Sequence, residues 1–134
     1  MSQENVEIVL AANDAYNAGD FDTMLKFYAV DIEAIPDSSA FLEVEQLHGV
    51  EAFRDWVSEI GKAWDSVRWE IREARAVGTD RVLVRGDWGG KGHGSGLEIA
   101  SNFSGIFTVR DRQIKRLEFF QDHAKALEAV ELAH

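Results

Sequence analysis

Apolar residues recur at helical spacing through the first half of the chain and switch to every second residue in the second half. Val6, Val9, Leu10, Asn13 and Tyr16 form one stripe, which predicts a helix over Ser2–Ala18. Asn17-Ala18-Gly19-Asp20 ends it, with Gly19 suited to a left-handed cap. Asp20 then caps a second helix reaching Tyr28, with Phe21, Met24, Leu25 and Tyr28 on one face. Ile32–Ile35 predicts a short strand, closed by Pro36, the only proline, and a DSSA loop. A third helix follows His48-Gly49, where Phe53, Trp56, Val57, Ile60 and Trp64 keep the helical period.

The period then becomes two. Val67, Trp69 and Ile71 alternate with Arg68, Glu70 and Arg72, as expected of a strand with one face buried. Gly78-Thr79-Asp80 turns the chain into a meander of three more strands: Arg81–Gly89, about Leu97–Val109, and Gln113–Phe120. The glycines of GGKGHGSG permit the first reversal, and Arg110-Asp111-Arg112 makes the second. HAKALEAVELAH predicts a terminal helix capped by Asp122. Helices gathered on one face of an antiparallel sheet define an α+β domain, and a strongly twisted sheet curls around them to leave a pocket. With no repeat or linker, residues 1–134 are expected to form one domain.

Composition narrows the partners. The net charge is −10 and the pI near 4.8, with the basic residues scattered, which argues against nucleic acid and anionic membrane. No cysteine is present, so disulfides and thiolate chemistry are excluded. The N-terminal stretch has no basic leader and no long apolar run, so a cytoplasmic protein is expected. His48, His93, His123 and His134 are too dispersed for a metal site, and no cofactor is expected. GGKGHGSG lacks the GK[ST] ending of a phosphate loop and sits between strands.

Three separated stretches carry a family likeness: AYNAGDFDTMLKFYAVDIE, LHGVEAFRDWV, and GSGLEIASNFSGIFTVRDRQIKRLEFFQDHAKALEAVEL. In this order they resemble the SnoaL-like branch of the nuclear transport factor 2-like superfamily. The resemblance implies a cone-shaped, strongly curved antiparallel sheet with helices packed on its concave face. It also implies a homodimer formed through the outer sheet face and a pocket for a small apolar molecule. The chemistries hosted by that superfamily include polyketide cyclases, ketosteroid isomerases, dehydratases and epoxide hydrolases, so the fold does not select one.

Tested against those chemistries, the residues divide. The isomerase base falls at about Pro36 and its donors near Ala12 and Gly105, none of which serves; Asp37 is a displaced substitute. Limonene-type epoxide hydrolases are matched by Arg85-Gly86-Asp87 and Asp122, but the Tyr and Asn expected near Glu33–Ile35 are missing. Cyclases of the SnoaL type place an acid/base Asp where Asp122 stands, followed here by His123. The resemblance therefore nominates Asp122, Asp87 and Arg85 for acid/base catalysis, and His123 joins them because an imidazole suits general-base work near neutrality. Asp122 has an equally good role as helix cap. Arg85 and Asp87 share a strand face opposite Val82, Val84 and Trp88: either the pair or the apolar set points inward, and the resemblance favours the pair. In that case Val82, Val84 and Trp88 would offer the dimer contact. Asn13, Tyr16, Phe27, Tyr28, Trp56, Phe103, Phe107 and Phe119 are the expected pocket walls, with Asn13 marking a polar spot on its stripe. A cofactor-free acid/base enzyme and a non-catalytic, dimeric ligand-binding module both fit.

Overall fold

The computed structural model describes residues 2–35, 46–92 and 98–132. Its elements follow in the order α1 (Ser2–Asn17), α2 (Phe21–Leu25), β1 (Tyr28–Ile35), β2 (Leu47–His48), α3 (Val50–Ala63), β3 (Trp64–Val77), β4 (Arg81–Gly92), β5 (Glu98–Arg110), β6 (Gln113–Phe120) and α4 (His123–Leu132). The strands form one sheet in the order β2-β1-β6-β5-β4-β3. This is the α+β, nuclear transport factor 2-like architecture that the sequence predicts. Its sheet is not wholly antiparallel, because β1 runs parallel to β6.

Local chemistry explains the element ends. Gly19 takes φ 75°, and Asp20 accepts from the Thr23 amide at 3.2 Å, starting α2. That helix stops at Leu25, three residues before its expected end, because Tyr28 is taken into β1 opposite Ile114. β1 is longer than its apolar pattern suggests. Its pairing with β6 shifts register between Tyr28 and Glu33, and Val30 stands 78% exposed, so strict alternation is lost. Asp111 and Arg112 both adopt positive φ, 52° and 64°, closing the β5–β6 hairpin in the primed-turn sense that matches strand twist. The glycine-rich reversal at 93–97, including His93, lies outside the described residues, as do 36–45 with Pro36 and Asp37, His134, and the side chains of 60–67.

The face of α1 that meets the sheet is rotated from the expected stripe. Asn5, Val9, Ala12 and Ala15 are buried, whereas Val6 and Leu10 are only half-buried. Asn5 is accommodated because its Nδ2 donates to the Thr79 carbonyl at 3.0 Å, tying α1 to the β3–β4 turn.

Strand alternation sorts the sheet into two cores. Val82, Val84, Phe107 and Leu117 pack inward with Val9, Ala12, Phe53 and Val57 of α1 and α3. Leu83 and Ile106 point the other way and pack with Val77, Ala126 and Val130. Thus α4 covers the convex face while the other helices occupy the concave one. The apolar set of β4 is interior: Val82 and Val84 are fully buried within one chain, so they are not the dimer contact expected of them. No helix among the described residues is long and apolar enough to cross a membrane.

Candidate functional site

The concave core is incompletely filled. A cavity of ≈ 240 Å³ remains, its walls almost wholly aromatic and aliphatic. From α1 come Asn13 and Tyr16, from β1 Tyr28, and from α3 Phe53 and Trp56. The sheet supplies Trp69, Trp88, Phe103, Phe107 and Phe119. Rings brace one another around the space. Trp56 and Trp69 lie 5.8 and 6.1 Å from Phe119, and Trp69 stacks on Phe107 at 6.2 Å. Gly105 makes this possible, since a Cβ there would stand 3.0 Å from the Trp69 ring and 3.2 Å from the Phe107 ring.

Trp69 is held by its backbone. Strand β3 is a sheet edge, so its outward amide and carbonyl need partners from elsewhere. Asn17 supplies both: its Oδ1 accepts from the Trp69 amide at 2.8 Å and its Nδ2 donates to the Trp69 carbonyl at 3.1 Å. Asn13 Nδ2 donates to the same carbonyl at 2.9 Å. The polar spot predicted at Asn13 therefore fixes the edge strand to α1 beside the cavity.

Two phenols, Asn13 and Gln121 supply polar groups to the wall. Trp88 Nε1 donates to the Tyr16 hydroxyl at 3.0 Å. Burial pushes the Tyr16 phenol up from its usual range, partly opposed by that hydrogen bond. Burial, with a smaller contribution from the nearby Tyr16, raises Tyr28 as well. Both remain neutral hydrogen-bond donors at ordinary pH. Among the described residues that line the cavity, none is a carboxylate, an imidazole or a cation.

The expected catalytic groups lie elsewhere. Asp122 is exposed and caps α4: its Oδ1 accepts from the Ala124 amide at 2.9 Å, and its carbonyl from the Lys125 amide at 3.0 Å. His123 Nδ1 sits 2.6 Å from Ser104 Oγ on the convex face, beneath α4. Asp87 pairs with Arg72 at 3.1 Å, not with Arg85, and both Asp87 and Arg85 point away from the cavity. The expectation that this pair faces inward is thereby corrected. Alternation leaves one choice per strand, and burying Val82, Val84 and Trp88 outweighs burying two charges. Of the expected walls, seven line the cavity; Phe27 does not, and packs instead at the margin of the core. Nine lining residues were missed as walls, Trp69, Trp88 and Gln121 among them, although Trp69 lay on the apolar face of its alternating strand. No described cluster of His, Cys, Asp or Glu could hold a metal ion.

This curved α+β sheet around an aromatic cavity defines a protein of the nuclear transport factor 2-like class. Residues 9–117 match the SnoaL-like domain, and the chain belongs to that family. A polyketide cyclase-like protein of Sinorhizobium meliloti is 29% identical over 85% of this chain and 94% of its own, with a TM-score of 0.68. An NTF2-like protein of unknown function from Burkholderia pseudomallei shares the fold at a TM-score of 0.78 and 16% identity, over 95% and 97% of the two chains. TerC, co-crystallised with polyporic acid, does so at 0.77 and 22%, over 96% and 98%. No curated protein matches the chain in sequence.

Proposed function

We propose that this chain is a binding protein for a neutral, largely apolar small molecule held in the concave aromatic cavity. One observation carries the reading: the described cavity wall holds no ionised group, while every expected acid or base stands on the convex side or at the α4 cap. A charged ligand would lose its hydration there without a counter-charge, which costs several kcal/mol or more. An apolar one gains about 25 cal/mol per Å² buried. A carboxylate-driven reaction would require Asp87 to reach across the sheet or Asp122 to leave the α4 cap. Ligand binding by a relative, as in TerC with polyporic acid, is in keeping with this use of the fold.

The test is fluorescence titration with a neutral apolar probe such as N-phenyl-1-naphthylamine. Saturable binding is expected in the wild type and in Asp122→Asn and Asp87→Asn, and a loss of ten-fold or more in Trp56→Ala. Absence of saturable binding by the folded protein, or dependence on either aspartate, would overturn the proposal.

A further inference from the structure

Trp69 and Trp88, the cavity-wall residues of β3 and β4, stand directly opposite each other. The Trp69 amide and carbonyl both go to Asn17, so neither is turned towards β4. The pair is therefore of the non-hydrogen-bonded kind, in which the side chains approach closely and no ladder bond fixes the two residues to each other. Support along the strands is thin. Two residues to either side, β4 offers Gly90 opposite Val67 and Gly86 opposite Ile71, neither with a side chain to pack. Register shifts between Trp64 and Ser66 and between Ile71 and Glu73 bracket the stretch. One face of α1 holds it from outside. Asn13, Tyr16 and Asn17, spaced i, i+3 and i+4, take the Trp69 backbone and the Trp88 indole.

We propose that Asn17 is a positioning residue that sets the width of the cavity, and so the size of ring system it admits, by standing in for the strand that β3 lacks on its free edge. This rests on the cavity being a binding site, and it adds what determines the size of the ligand. Strand β3 ends the sheet, so no further strand fixes its distance from α1. The Asn17 side chain does so instead, accepting from the Trp69 amide at 2.8 Å and donating to its carbonyl at 3.1 Å, as a neighbouring strand would. Asn17 is not itself among the residues that line the cavity, so it acts through Trp69 and, across the pair, Trp88. On the sheet side the Trp69 ring rests against Phe107 and Phe119, which oppose movement towards them. Movement of the edge away from α1 is opposed by the amide clamp, and losing the clamp widens the space.

The test compares naphthalene with pyrene, a small and a large flat hydrocarbon, by fluorescence titration of the wild type and Asn17→Ala. The ratio of pyrene to naphthalene affinity is expected to rise about ten-fold in the variant, the scale of one or two newly buried methylenes. Exchange of the Trp69 backbone amide, followed by NMR, should quicken by about ten-fold or more because its acceptor is gone, while the amides of β5 keep their protection. Asp122→Ala, which removes the α4 cap instead, is the control for general loosening and should leave both the ratio and Trp69 exchange unchanged. Should Asn17→Ala fail to fold, Asn17→Asp carries the test. It keeps the acceptor for the amide but sets an oxygen against the carbonyl, which Asn13 still serves, so a smaller rise in the same direction is expected. An unchanged ratio in a folded Asn17 variant, or an equal rise in Asp122→Ala, overturns the role of Asn17 and leaves the cavity reading standing. Failure of the wild type to bind either hydrocarbon overturns the cavity reading, and the role of Asn17 falls with it.

Discussion

The two faces of the sheet are built from the same strands and differ in almost everything else. On the concave face the inward residues of β3 to β6 that line the cavity include tryptophan, phenylalanine and leucine, and none of the described lining residues is charged. One residue along each strand, the convex face carries Arg72 with Asp87, and Arg116 between Glu33 and Glu118. What separates them is the period-two geometry of a strand, which assigns neighbours to opposite solvents. Chemistry therefore has to be read one face at a time. An Arg-x-Asp motif beside an aromatic residue is adjacent to a cavity in sequence and on the wrong side of it in space.

Substitutions should expose this difference in graded steps. Trp69→Ala removes the ring that braces Phe107 and Phe119, and is expected to cost about 3–5 kcal/mol in chemical denaturation and to abolish probe binding. Gly105→Ala places a methyl 3.0 Å from the Trp69 ring, so it should destabilise by about 1–3 kcal/mol and shrink the cavity. Probe affinity unchanged by that methyl would show that ligands do not reach this wall.

Alkaline titration probes the same core without changing its shape. The folded Tyr28 phenol is raised by burial, so its stabilisation is full below the unfolded-state value near 10 and is lost as pH rises towards the folded value. Tyr28→Phe should flatten that alkaline decline in thermal melts. On the opposite face the effects should be smaller. Asp122→Ala removes the α4 cap, expected to cost about 1 kcal/mol with probe affinity unaltered. Asp87→Asn breaks a pair whose side chains are 44% and 63% exposed, and should change stability by no more than about 0.5 kcal/mol. A convex-face substitution that altered binding as strongly as Trp69→Ala would break the distinction between the faces.

Several elements were legible before any coordinates. The helical period from Phe53 to Val57, the alternation around Trp69, the cap at Asp122 and the turn at Asp111 all predict what is found, because each depends on residues within one or two turns of each other. Seven of the sixteen cavity-wall residues were legible too, since Tyr16, Tyr28, Trp56, Phe103, Phe107 and Phe119 are large aromatic residues of their stripes and Asn13 is the polar spot on its own. The errors have equally definite causes. Helix α2 ends early because β6, some ninety residues on, recruits Tyr28 as a strand residue. The stripe on α1 is turned because Asn5 finds a carbonyl at Thr79, a partner no local pattern reveals. Arg85 and Asp87 were drawn inward by a motif, against an alternation that already allowed the outward answer.

By itself the sequence determined the α+β class, the number and order of the main elements, and a surplus of aromatic residues large enough to line a space as well as fill a core. These follow from local periodicity and composition, which act through short-range geometry and solvent transfer. Only the tertiary structure decided which face of β4 is interior, that β1 joins β6 in parallel, and that α4 lies on the convex side. Each of those choices is made by contacts between residues far apart in the chain, where burying apolar rings and satisfying polar groups are settled together.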